Sequence, residues 1–142
     1  MKNAQEMIRE NSFCVLSTCR DNLPNSSLMQ YVCSESCAEI YMLTMKGSTK
    51  HLNIESNPRV SLLIDTRCEL LPGSVGIQAL TVYGDARIME DEAAAALLKD
   101  RLVGINPGLA VLADSAESCI IKVEVESYLM LEGVAESRFG KI

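Results

Sequence analysis

The chain has 142 residues, enough for one domain with a core of its own. Nineteen Asp and Glu against thirteen Lys and Arg give a formal net charge of −6, which excludes the broad basic face that a nucleic acid or an anionic membrane requires. Hydrophobic residues make up 48% and aromatics 4%, with no tryptophan, so the expected core is aliphatic with methionine filling gaps.

Residues 3–11 predict a short helix with Ala4, Met7 and Ile8 on one face. SFCVLSTC (12–19) is rich in β formers, RDNLPN (20–25) is dense in turn formers, and SSLMQYVC (26–33) reads as a second strand. A tight turn at SESC leads into a third strand, residues 39–44. Residues 49–56 form a short helix that must stop before Pro58, because the residue preceding proline is pushed out of the helical region.

Val60, Leu62 and Ile64 alternate with Ser61, Leu63 and Asp65, so 59–65 is a strand. LLPGSVG (70–76) reads as a loop and 77–89 as a long strand, with Gly84 marking a bulge or bend. The next helix is placed at 90–103. Its acids come first and its bases late, complementing the helix dipole, and Ala94, Leu97, Leu98 and Leu102 are expected to be its buried stripe. GINPG ends it, 108–113 adds one helical turn, and Cys119, Ile121, Val123 and Val125 alternate along a final strand. Residues 133–142 read as a loose tail.

The expected fold class is therefore mainly β with flanking helices, in one domain over 1–132. Antiparallel hairpins dominate, and closing them into a small barrel removes the exposed edges. The N-terminus is charged throughout and lacks an apolar signal core, and no run approaches the roughly 20 apolar residues of a membrane span. A cytoplasmic location is the expectation.

The six cysteines, at 14, 19, 33, 37, 68 and 119, mostly fall in apolar strands and are read as buried thiols. Cys33 and Cys37 flank a turn and could face each other, while Cys14, Cys19, Cys33 and Cys37 match zinc-ligand spacing only loosely. No metal site is expected. His51, the sole histidine, has two readings: a helix-surface residue, or a haem ligand or proton shuttle.

The stretch MLTMKGSTKHL (42–52) gathers two lysines, a glycine and hydroxyls where a strand hands over to a helix. A helix N-terminus carries unpaired N–H groups and partial positive charge, and an anion sits there readily. Ser48 and Thr49 supply hydroxyls, Gly47 allows close backbone approach, and Lys46 and Lys50 bring charge. Two readings stand: a serine-capped surface helix with solvated lysines, or a cradle for a monophosphate.

The order of the pieces, Thr44 at a strand end, Ser48-Thr49-Lys50 opening a short helix, then Asn57-Pro58-Arg59-Val60 opening a strand, resembles the pyridoxamine 5′-phosphate oxidase-like family of FMN-binding split barrels. VLSTCRDNLPNSSLMQYV is similar to that family's first hairpin and LTVYGDARIMED to its long strand, so the likeness runs over about residues 5–130. It implies a six-stranded antiparallel split β-barrel that dimerises, with FMN in a groove at the subunit interface. By that resemblance Lys50 with Ser48 or Thr49 would hold the phosphate, and Thr44 and Met45 would line the ribityl chain. The segment carrying Met29, Gln30 and Tyr31 would run along the flavin ring, and Gln78 would approach the ring from the long strand.

The oxidase itself carries an Arg and a Lys on the strand matching 27–33, where this chain has Leu28 and Cys33; Lys46 is a candidate replacement from the loop. The oxidase's basic C-terminal substrate segment has no match in LEGVAESRFGKI. The function implied is a flavin-dependent oxidoreductase taking a nicotinamide or another small-molecule substrate. The alternatives are a non-catalytic flavin carrier or electron-transfer protein, a haem- or deazaflavin-binding relative, and a barrel without cofactor.

Overall fold

A computed structural model describes residues 1–69, 72, 76–133 and 136–142. The expected loop at 70–76 lies largely outside the described residues. The elements in chain order are α1 (Ala4–Glu10), β1 (Phe13–Arg20), β2 (Leu23–Cys33), β3 (Glu39–Met45), α2 (Thr49–Ser56), β4 (Arg59–Asp65), β5 (Gln78–Ile88), α3 (Glu92–Ile105), α4 (Ala110–Ala113), β6 (Ser118–Glu132) and β7 (Glu136–Lys141). Among the described residues, no helix is long and apolar enough to cross a membrane.

The strands pair in the order β3-β2-β1-β4-β5-β6, and a β3–β6 pairing closes the ring. Every pairing is antiparallel. This is the expected six-stranded barrel. Inward residues alternate along β1, β4 and β5, and Leu16, Met42, Leu62, Ile64, Leu80 and Ile121 are fully buried. The helix α1 contributes Ala4, Met7 and Ile8 to this core, the face read from its spacing, and Asn3 and Glu6 form a capping box at its start.

Several boundaries moved. The first hairpin turns on two residues alone, Asp21 at φ 52° and Asn22 at φ 63°, the conformation a two-residue hairpin demands and that Asn and Asp tolerate. β2 therefore starts at Leu23 and takes in Pro24. Its other side pairs with β3 only from Tyr31 to Cys33, so Pro24 stands along a free edge where its missing N–H costs nothing.

Residues 136–141, expected as loose tail, form β7, which pairs with β6 over Ser127–Glu132, beyond the stretch of β6 that β3 occupies. The Arg138 guanidinium donates to the Glu132 carboxylate across this pair.

The buried face of α3 also differs from the expected stripe. Ala95 and Leu102 are buried, Leu98 is partly so, and Leu97 is 68% exposed. EAAAALL is apolar on every side, so its periodicity selects no single face. The outward-pointing Val32, Leu43 and Ile120 of the barrel make the selection. Helix α3 also continues through Gly104 to Ile105, two residues past its expected end, and stops where Asn106 caps the turn at Pro107.

Candidate functional site

Thr44 is the penultimate residue of β3, and the chain turns out of the strand through Lys46 and Gly47 into α2. Gly47 has φ 82°, a left-handed conformation that suits glycine. Ser48 is the N-cap of α2, its Oγ accepting from the His51 N–H at 3.3 Å, and it lies 3.0 Å from Thr44 Oγ1. Thr44 is only 4% exposed, so this hydroxyl pair has a fixed geometry. As first-turn residues of α2, Thr49 and Lys50 have N–H groups without intrahelical acceptors.

These groups border a cavity of about 310 Å³, lined by Leu28, Met29, Gln30, Leu43, Thr44, Met45, Ser48, Lys50, Leu109 and Leu112. Its lining offers an ammonium and hydroxyls beside the start of a helix. The other walls are thioether and leucine, with one amide. Gln30 is held there by Asn106, whose Nδ2 donates to Gln30 Oε1 at 2.9 Å. The lining suits a molecule with an anionic group and an apolar body.

Six residues expected at the site thus meet in one cavity: Met29, Gln30, Thr44, Met45, Ser48 and Lys50. Thr49 is exposed at the first position of α2 and does not line it. Three others lie elsewhere. Tyr31 is 1% exposed and its hydroxyl donates to the Ile8 carbonyl at 2.6 Å, so its ring belongs to the core and not to a flavin face. The Gln78 side chain clamps the N-terminal segment, Oε1 accepting from the Lys2 N–H at 3.1 Å and Nε2 donating to the Lys2 carbonyl at 2.9 Å. Both its polar groups are engaged away from the cavity.

Lys46 borders a second cavity of about 640 Å³ with His51, Glu55, Lys99 and Cys119. It is not brought beside Lys50 as a substitute for the missing strand cation. Sequence reading missed Leu43, Leu109 and Leu112. The Leu-x-x-Leu spacing after Asn106-Pro107-Gly108 was the available signal, a one-turn helix with both leucines on one side.

All six cysteines are free thiols, with Cys14, Cys37 and Cys119 buried and Cys68 exposed. Burial pushes the Cys14 thiol up to about 12. Burial and the neighbouring Cys37 thiol push Cys33 up to about 11, against the pull of Arg101 and Arg9. Neither thiol is primed as a nucleophile. No group of three or more His, Cys, Asp and Glu with metal-binding geometry occurs among the described residues.

The same fold recurs in solved structures. General stress protein 26 from Bacillus anthracis str. Sterne superposes with a TM-score of 0.71 at 23% identity, over 95% of this chain and 93% of that one. A FAD-binding protein from Mesorhizobium loti gives 0.73 at 20% identity, over 94% and 96%. HutZ, a haem storage protein from Vibrio cholerae, gives 0.73 at 17% identity, over 91% of each. No curated protein matches the chain by sequence. The family model described as pyridoxamine 5′-phosphate oxidase matches residues 1–132, nearly the whole barrel together with the cavity and its loop, and the chain therefore belongs to the pyridoxamine 5′-phosphate oxidase family.

Proposed function

We propose that this protein binds FMN between two copies of itself and acts as a flavin-dependent oxidoreductase. The observation that carries the reading is that Lys50, Ser48, Thr44 and the first turn of α2 border one cavity whose remaining lining is apolar apart from the Gln30 amide. Lys50 and the Ser48 hydroxyl would hold the phosphate, Thr44 and Met45 would flank the ribityl chain, and Met29, Leu109 and Leu112 would pack on the ring. A bound flavin supplies redox chemistry to a nicotinamide or another small substrate, while the protein contributes position and exclusion of water.

One protomer offers only about 310 Å³, at the low end of small-molecule pockets, so a flavin would stay partly exposed without a second subunit. The outer face of the sheet fits such a partner. Register aligns Leu28, Val15, Leu63, Thr81, Leu129 and Phe139 in one row across six strands, and paired residues share a face. Leu28 is 73%, Leu63 37% and Phe139 66% exposed. A row that is apolar apart from Thr81, with its two ends exposed, supports an interaction surface here.

Structures described as a haem storage protein and a haem-binding protein share the fold, which keeps a haem reading in view. Both ring nitrogens of His51 are engaged within its own loop and helix, so it would have to give up those partners to ligate iron. The visible spectrum of the purified protein, then of protein titrated with FMN and with haem, tests the choice. Flavin bands, with Lys50→Ala weakening FMN binding about 10-fold, the equivalent of one charge-assisted hydrogen bond, are expected. No FMN binding by the wild type, or a haem Soret band in its place, would overturn the proposal.

A further inference from the structure

The only histidine of the chain stands where the loop enters α2, and it is 9% exposed. Its Nδ1 accepts the Gly47 N–H at 3.0 Å. Its Nε2 lies 3.2 Å from Glu55 Oε1, one turn along α2. An accepting Nδ1 puts the ring proton on Nε2, where Glu55 receives it, so a single tautomer satisfies both contacts. The His51 N–H in turn donates to Ser48 Oγ at 3.3 Å. Ser48 thus holds His51 and His51 holds Gly47, a closed set of bonds spanning five residues. Gly47, at φ 82°, sits in a turn that the Ser48 N–H closes onto the Met45 carbonyl at 3.2 Å, and the His51 bond is a second tie on that turn.

We propose that His51 is the positioning residue of the anion cradle: by accepting the Gly47 N–H it sets the loop so that Ser48, Lys50 and the first amides of α2 converge, and protonating the ring releases the loop. The inference rests on the phosphate-cradle reading above. An imidazolium carries a proton on each nitrogen, so the Gly47 N–H would then face a donor and its bond would be lost. The titratable groups that share its cavity come from four directions: Glu55 on its own helix, Lys46 from the loop, Glu90 ahead of α3 with Glu92 and Lys99 on it, and Cys119 from β6.

The test compares wild type with His51→Asn, whose amide oxygen can take the place of Nδ1, and with His51→Ala, which has no acceptor. In ligand-free protein, imidazole ¹⁵N shifts and Gly47 amide exchange are measured by NMR; FMN is then titrated from about pH 8 to about pH 5, the interval in which histidines change charge. An unprotonated Nδ1 is expected near pH 8. Gly47 should exchange about 10-fold faster in His51→Ala than in wild type, with FMN binding weakened by a similar factor and largely restored in His51→Asn, the size of one lost hydrogen bond. Wild-type affinity should fall more steeply on acidification than that of His51→Asn, in which only the FMN phosphate, with a second pKa of about 6, still gains a proton.

A proton on Nδ1 in the wild type, unchanged Gly47 exchange in His51→Ala, or His51→Asn behaving like His51→Ala would overturn the role. No FMN binding by the wild type at any pH would overturn the cradle reading, and with it the ligand half of this proposal. The Gly47 and imidazole measurements would still decide the loop half.

Discussion

A methyl group on residue 84 would lie 2.2 Å from the Glu124 carbonyl oxygen, so Gly84 is set by contact and not by backbone freedom. At this point β5 and β6 slip out of register: Tyr83 pairs with Ser127 but Gly84 with Val125, leaving Glu126 as the extra residue of a bulge. Glu126 is turned to Arg59, 2.7 Å away, which also holds Asp85 at 3.0 Å. Gly84→Ala must push apart two central strands and should cost about 3 kcal/mol or more, read as a lower urea midpoint. A change below about 0.5 kcal/mol, the size of a neutral surface substitution, would refute the close approach.

Cys14 carries a second prediction at this scale. Burial raises its thiol from an ordinary value of 9.0 to about 12. The unfolded chain therefore ionises at lower pH than the folded one, so the contribution is complete below 9.0 and is lost as pH rises toward about 12. Chemical denaturation of wild type should weaken across that window more steeply than that of Cys14→Ala. Cys33, raised to about 11, adds to the decline in both proteins. Equal slopes would show that Cys14 is not desolvated as described.

At the scale of elements, α2 is eight residues long and has no basic residue in its last turn to offset its dipole, so its start matters more than its length. Ser48 is the cap, and it is also the hydroxyl that meets Thr44. Ser48→Ala should lower stability by about 1 kcal/mol, the usual value of a serine cap, and should weaken FMN binding in parallel. Thermal melts and an FMN titration separate the two effects. Loss of stability with unchanged FMN affinity would leave Ser48 a cap and nothing more.

The expected helix-to-strand handover at 44–60 was legible because its signals are local: a hydroxyl cap, a glycine, and a proline that stops the helix. The face of α3 was not, because alanine on every side leaves the choice to the barrel beneath it. Tyr31 and Gln78 were misplaced for the same reason. A strand residue's side follows from register, but whether that side meets a ligand, α1 or Lys2 depends on chain far away in sequence.

For the whole molecule, the apolar row on the outer sheet leads to a prediction about assembly. The row runs from Leu28 to Phe139, both more than half exposed. A dimer seated on this face should be broken by Leu28→Glu combined with Phe139→Glu, giving a monomer by sedimentation with its far-ultraviolet dichroism intact. FMN affinity should fall with the dimer, since each protomer alone encloses only about 310 Å³. A monomeric wild type, or a double variant that stays dimeric, would move the interface elsewhere.

The sequence by itself determined the strand and helix order, the antiparallel barrel and the loop with its hydroxyls and Lys50, because period-two burial, turn residues and helix caps act within a few residues. It did not determine where the chain's end goes. β7 exists only because β6 outruns β3 and offers a free edge. It did not separate Lys46 from Lys50 either, since four residues of loop and helix start turn them into different cavities. Nor did it join His51 to Gly47, a bond that a left-handed turn and a short helix create together. Contacts of this second kind depend on the direction in which a side chain leaves a folded surface, and that direction is fixed only once the barrel has closed.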